Sequence, residues 1–139
     1  MPFVLDASMA MGWCFADEST PYSRQVLATL LDSYAEVPAL WPFEIANVLA
    51  VNEKRRRITE AISQEFLETL AGLDIRIDKS LPGVDGNALL LLARRFGLTA
   101  YDAAYWELAK RKGFPLATFD RELIEAAAQE GVALVGRQT

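Results

Sequence analysis

The chain has 139 residues, 52% of them hydrophobic, with 14 basic and 19 acidic residues and a net charge of −5. Those totals suit one globular domain spanning residues 1–139, with a core of useful size, and they exclude a disordered chain or a generally basic nucleic-acid binder. There is no His, which excludes His general-base catalysis, Ser-His-Asp triads and His-containing zinc sites, and the lone Cys14 excludes a thiolate cluster and an internal disulfide.

No apolar run approaches the ~20 residues that span a bilayer, and the N-terminus has neither a basic n-region nor a long apolar h-region. The expectation is a cytoplasmic protein with no membrane partner. Any hydrolytic chemistry must run on carboxylates, hydroxyls, Lys or Arg, helped by a hard metal.

In chain order, Phe3-Val4-Leu5 reads as a buried strand that ends on Asp6. Ser8 is placed to cap a short helix running to about Asp17. Tyr22, Val26, Leu27, Leu30 and Leu31 recur at helical spacing, and Glu36-Val37-Pro38 is at most a very short strand. Pro42 opens a helix at its favoured first position, with Ile45, Val48 and Leu49 as its core stripe and Lys54-Arg55-Arg56-Arg57 at its end. Thr59 begins a helix with Ile62, Phe66, Leu67 and Leu70 on one face, and Asp74–Ile77 alternates like a strand.

The Leu81-Pro82-Gly83 region reads as a loop before an apolar helix over Asn87 to Phe96. Thr99 and Asp102 form a capping-box-like start for a helix to about Lys112. Leu116-Ala117-Thr118 is a short strand ending at Asp120, followed by a helix that Gly131 stops, and Val132 to Val135 is a last strand. Strands alternating with helices predict an α/β fold, helices on both faces of a central parallel sheet of about five strands.

Asp6 and Asp120 thus fall at the carboxyl ends of strands, and Glu44 and Asp102 in the first turns of helices. In an open α/β sheet these positions share one edge, where ligands bind. Taken singly, each acid has an ordinary role as a cap or a dipole partner. Together they form a set embedded in apolar stretches: Ile45, Ala46 and Val48 surround Glu44, while Ala100, Tyr101, Ala103, Ala104 and Tyr105 surround Asp102. Partly buried carboxylates need pairing or metal. Two of them ~4 Å apart repel by about 4 kcal/mol at an effective dielectric of ~20, so four crowded acids protonate, move apart or recruit cations. Oxygen-only ligation selects Mg²⁺ or Mn²⁺, and one or two such ions can activate water for phosphodiester hydrolysis.

Four pieces of the sequence carry a family likeness: Val4-Leu5-Asp6-Ala7-Ser8, Pro42 to Leu49 (PFEIANVL), Leu98 to Tyr105 (LTAYDAAY) and Ala117-Thr118-Phe119-Asp120. In that order they resemble the PIN-domain ribonucleases, specifically VapC-type toxins of type II toxin–antitoxin systems. The resemblance implies a three-layer α/β/α fold and a metal-dependent endoribonuclease whose Mg²⁺ or Mn²⁺ site is Asp6, Glu44, Asp102 and Asp120. It further implies supporting polar roles for Ser8, Asn47 and Thr118, a homodimer, and a cognate VapB-type antitoxin that blocks the site.

Lys54, Arg55, Arg56 and Arg57, and likewise Lys110-Arg111-Lys112, close helices where cations complement the dipole. The first cluster is also a candidate track for the RNA backbone. Trp13, Trp41 and Trp106 fit core or interface positions better than base-stacking ones. Two other classes compete. One is a catalytically silent PIN-like binding module whose acids are only caps. The other is a phosphatase or receiver domain using a strand-end Asp, which would want a second acid where Ser8 stands or beside Asp6.

Overall fold

The computed structural model describes residues 1–79 and 86–136; the expected loop at Leu81-Pro82-Gly83 lies outside them. Four short parallel strands form the sheet: β1 (Phe3–Leu5), β2 (Ala35–Val37), β3 (Ile75–Ile77) and β4 (Leu116–Ala117). Around it lie α1 (Ala7–Cys14), α2 (Pro21–Leu31), α3 (Trp41–Lys54), α4 (Glu60–Ala71), α5 (Gly86–Phe96), α6 (Ala100–Lys112) and α7 (Arg121–Gln129). A single 3-10 turn over Ala16–Glu18 follows α1.

The strand order is β3-β2-β1-β4, all parallel. The chain winds outward from β1 to β3, then returns to lay β4 on the other side of β1. The β1/β4 boundary is therefore the topological switch point, where neighbouring connections depart in opposite directions and leave a crevice. Phe3, Val4 and Leu5 are all 0% exposed. Successive side chains alternate faces, so β1 is covered on both sides, as a central parallel strand requires. Met9, Val26, Leu30, Leu108 and Leu123 complete the fully buried core around it.

Three expectations need correction. Val132–Val135 is not a strand but a single parallel bridge, Leu116 to Leu134. Its two hydrogen bonds, Leu116 N–H to Ala133 O at 2.8 Å and Val135 N–H to Leu116 O at 3.0 Å, both use Leu116. A longer ladder has little to pair with, because β4 spans only Leu116–Ala117, and of these two Leu116 faces this segment while Ala117 faces β1. Second, α3 begins at Trp41, one residue before Pro42; the first N–H groups of a helix are unpaired anyway, so Pro costs no hydrogen bond there. Third, the N-cap residue of α1 is Asp6, and Ser8 lies inside the first turn.

Elsewhere hydroxyl caps and a glycine hold the helix ends. Thr20 and Ser23 form a reciprocal capping box on α2, and Thr59 and Thr99 accept from the third backbone N–H of α4 and α6. Gly113 ends α6 in the left-handed region, φ 67 and ψ 30, and so lets the chain swing directly into β4. A side chain is strained at that φ. Gly113→Ala is expected to lower stability by about 1–2 kcal/mol, read as a lower urea midpoint with an unchanged denaturant slope.

Candidate metal centre at the carboxyl edge

The Asp6 N–H still pairs with Ala117 O at 3.0 Å, so β1 and β4 stay zipped up to the residue that carries the first acid. Its side chain is 4% exposed. Two hydroxyls close on the same carboxylate oxygen: Thr118 Oγ1 donates to Asp6 Oδ2 at 2.6 Å and Ser8 Oγ donates to it at 2.7 Å. Each hydroxyl in turn accepts a backbone N–H from the segment that follows β4. Asp120 N donates to Thr118 Oγ1 at 2.9 Å, and Phe119 N donates to Ser8 Oγ at 3.1 Å. Two amides, two hydroxyls and one carboxylate thus form a single directed network across the switch point.

Asp120 stands at the start of α7 and accepts the Leu123 N–H through Oδ1 at 3.0 Å. Glu44, in the first turn of α3, accepts from the Tyr105 hydroxyl through Oε1 at 2.6 Å. Asp102 occupies the first turn of α6, its amide capped by Thr99 Oγ1 at 3.1 Å. Tyr105 lies three residues further along α6, on the face Asp102 shares. The structure therefore draws Asp6, Glu44, Asp102 and Asp120 to one edge from four separate segments, with Ser8 and Thr118 between Asp6 and Asp120.

Their charges register on one another. Burial pushes the Asp6 carboxyl above its ordinary value, against the pull of the Thr118 and Ser8 hydroxyls, and the Asp120 charge adds to the push. Partial burial likewise raises Glu44, opposed by the Tyr105 hydroxyl and helped by Asp6. Asp102 is pushed up to about 7 by burial, then by Asp120 and Asp6, with Glu44 adding less and the Thr99 hydroxyl opposing. Burial and the neighbouring Glu44 hold the Tyr105 phenol far above its usual range, so it stays a neutral donor. Among the described residues, none of the four acids forms an ion pair with Lys or Arg.

Asn47 is exposed on α3, three residues past Glu44 and on the face it shares. Lys54 lies ten residues beyond Glu44 on the same helix, about 15 Å along its axis. Arg56 is in the left-handed region at φ 60. Arg57 is tied to Asn52 at 2.8 Å and to Asp17 at 3.3 Å. The Lys54–Arg57 cluster is thus not brought to the acids. Tyr105, 0% exposed, is the residue that sequence reasoning missed; its only signal was helical phase with Asp102.

The sequence profile of the family described as PIN domain matches residues 3–129. The chain belongs to the PIN domain family. PIN domains are generally a nuclease fold and typically use divalent metal ions. A solved structure, PAE2754 from Pyrobaculum aerophilum, superposes with a TM-score of 0.64 over 91% of this chain and 87% of that one, at 23% identity. That likeness concerns the fold. No curated protein sequence matches the chain.

In this PIN domain the donor chemistry fits a hard divalent cation: oxygen ligands only, crowded, and without a compensating cation among the described residues. As the side chains lie, no three described acids converge tightly enough to enclose one ion. Asp6 is turned to its hydroxyls, Glu44 to Tyr105 and Asp120 to the Leu123 amide. Ligation would need these carboxylates to present their other oxygens.

The raised Asp102 value sets a pH dependence. A folded-state value near 7 against an ordinary 3.8 means the native state holds more protons than the unfolded chain between those pH values. Stability is therefore fully present below about pH 4 and falls as pH rises through about 7. In EDTA, the melting temperature is expected to drop between pH 5.5 and pH 8, and Asp102→Asn is expected to flatten that drop and to melt higher than wild type at pH 8. Equal slopes in the two proteins would show that neither burial nor the neighbouring acids raise Asp102.

Proposed function

We propose that this PIN domain is a metal-dependent endoribonuclease, a VapC-type toxin that hydrolyses RNA phosphodiester bonds through Asp6, Glu44, Asp102 and Asp120. The observation that carries the reading is the set of four mutually repelling carboxylates at the switch-point edge, buried or half-buried, with no cationic partner among the described residues. A chain stabilised only by caps gains nothing from gathering them.

A bound Mg²⁺ or Mn²⁺ would polarise the phosphate, activate water and neutralise charge as the bond breaks. Asp6, Glu44, Asp102 and Asp120 are the residues that would hold it. Ser8 and Thr118 fix Asp6 in one orientation through Oδ2, and Tyr105 does the same for Glu44 through Oε1. With no His in the chain, Asp102 is the carboxyl on this edge that exchanges a proton near neutrality. The proposal extends to a homodimer and to restraint by a VapB-type antitoxin. Exposed apolar side chains at Leu90 and Leu91 of α5, and at Ile62 and Leu67 of α4, support protein partners in general.

A second reading, a catalytically silent binding module, draws on the same geometry, since Asp120 caps α7 and no three acids among the described residues converge on one point. Metal separates the two. Mn²⁺ at ~100 times its dissociation constant is expected to add about 2.7 kcal/mol of stability to the EDTA-treated protein. Its affinity should climb from pH 6 to pH 8 as Asp102 loses its proton. No thermal shift with either ion would favour the silent module.

Activity completes the test. RNA incubated with Mn²⁺ is expected to be cut by wild type, and Asp6→Asn or Asp102→Asn should lose on the order of 10²–10⁴-fold in rate. Sequencing RNA ends after induced expression of wild type beside Asp102→Asn reads the target directly. Cleavage that persists in both variants would remove the acids from the chemistry.

A further inference from the structure

Basic residues in this chain mostly sit where a helix dipole favours them: Lys54, Arg94, Arg95, Lys110, Arg111 and Lys112 all lie in last turns. Arg121 does the opposite. It is the first residue of α7, directly after the N-cap Asp120, and no other described helix holds a basic residue in its first three positions. A positive charge there meets the positive end of the helix dipole, which lowers stability. Helical spacing offers relief, since Glu125 lies one turn on. Yet Arg121 is exposed and enters none of the ion pairs among the described residues, neither with Glu125 nor with the acid that precedes it.

Little other positive charge is free at this edge. Arg57 is paired with Asp17, Arg76 with Asp74, and Arg111 with Asp78 and Glu107. Lys54 stands about 15 Å along α3 from Glu44. Exposed Lys79 follows β3, two strand spacings or about 10 Å from β1. The Arg121 backbone, by contrast, is one residue or about 3.8 Å from that of Asp120. A cation closed onto the acids would compete with metal for them. One that stands clear of them leaves the ion position open and offers an arriving anion a second contact. The guanidinium fork matches two oxygens of a phosphate.

We propose that Arg121 is a substrate-contacting residue whose guanidinium holds the backbone phosphate adjoining the one delivered to the acids, and so sets the register of the strand. The proposal rests on the nuclease reading for the position of the cut. It rests on the placement, exposure and unpaired charge of Arg121 for the contact. The acids and their ion take the phosphate that is cleaved, and Arg121 takes its neighbour. Its contribution is therefore to alignment more than to bond breaking.

The test uses a short oligoribonucleotide and a set of copies, each with one uncharged methylphosphonate linkage. Binding is measured by fluorescence anisotropy in EDTA across a salt series, and cleavage with Mn²⁺ locates the cut. Arg121→Ala is expected to weaken binding on the order of 10-fold. It should also flatten the slope of log K against log salt by about 0.7, one phosphate contact on a single strand. KM should rise more than kcat falls. At the linkage next to the cut, the methylphosphonate should weaken wild type but not Arg121→Ala, the mark of a direct contact. Arg121→Lys keeps the charge but not the fork, and should recover the salt slope with only part of the affinity. Because the dipole clash is gone, Arg121→Ala should melt no lower than wild type in EDTA.

Methylphosphonates that act equally on wild type and Arg121→Ala at every linkage would overturn the proposal. So would an Arg121-dependent linkage two or more removed from the cut. A lower melting temperature with an unchanged dissociation constant would make Arg121 a structural partner of the acids instead. The two readings fail separately. Cleavage without any Arg121-dependent linkage removes the contact and leaves the nuclease. An Arg121-dependent linkage in RNA that is never cut removes the nuclease and leaves the contact. RNA neither bound nor cut by wild type removes both.

Discussion

Taking a carboxylate out of water is tolerated only where something replaces the water, and Asp6 at 4% exposure is the point where the fold meets that demand. The replacement is built from the two strands that diverge at the switch point. Ser8 and Thr118 donate to Asp6 while accepting N–H groups from Phe119 and Asp120, so the same hydrogen bonds satisfy the acid and shape the turn after β4. Removing the acid would strip two hydroxyls of their acceptor. The network is thus a structural element as much as a chemical one.

Helix direction adds to this. Helices α1, α3, α6 and α7 all start at the acidic edge, with Asp6 and Asp120 at N-caps and Glu44 and Asp102 in first turns. The positive ends of four helices lower the cost of gathering anions there. Helix capping and charge clustering are consequently not rival explanations for these residues. The caps are what make the cluster affordable, and the remaining repulsion, visible in Asp102, is what a cation would relieve.

Much of this arrangement was legible beforehand because strand-end acids and first-turn acids are local features, marked by abrupt changes from apolar to charged residues. The Thr99 and Thr59 helix starts follow from the same local chemistry. What sequence reasoning missed was non-local. Tyr105 meets Glu44 across 61 residues, a contact that no spacing rule reveals. The pattern Val132–Val135 is strand-like, yet its pairing depends on how far β4 runs, and β4 is only two residues long. Ser8 looked like a cap because a hydroxyl beside a helix start usually is one; here the hydroxyl serves the acid two residues earlier. The basic cluster was adjacent to Glu44 only along the helix, and a rigid helix keeps its two ends apart.

One detail of the carboxylates bears on which ions would suit them. In three of the four acids, one oxygen is already occupied by the protein: Oδ2 of Asp6, Oε1 of Glu44 and Oδ1 of Asp120. An acid tethered in this way offers an ion its other oxygen more freely, which disfavours a grip with both. Large, irregular coordination shells such as that of Ca²⁺ often rely on two-oxygen grips, whereas compact octahedral ions take one donor per ligand and fill the remainder with water. Discrimination by ion size would then reside in Tyr105, Ser8, Thr118 and a backbone amide, groups that need never touch the ion themselves.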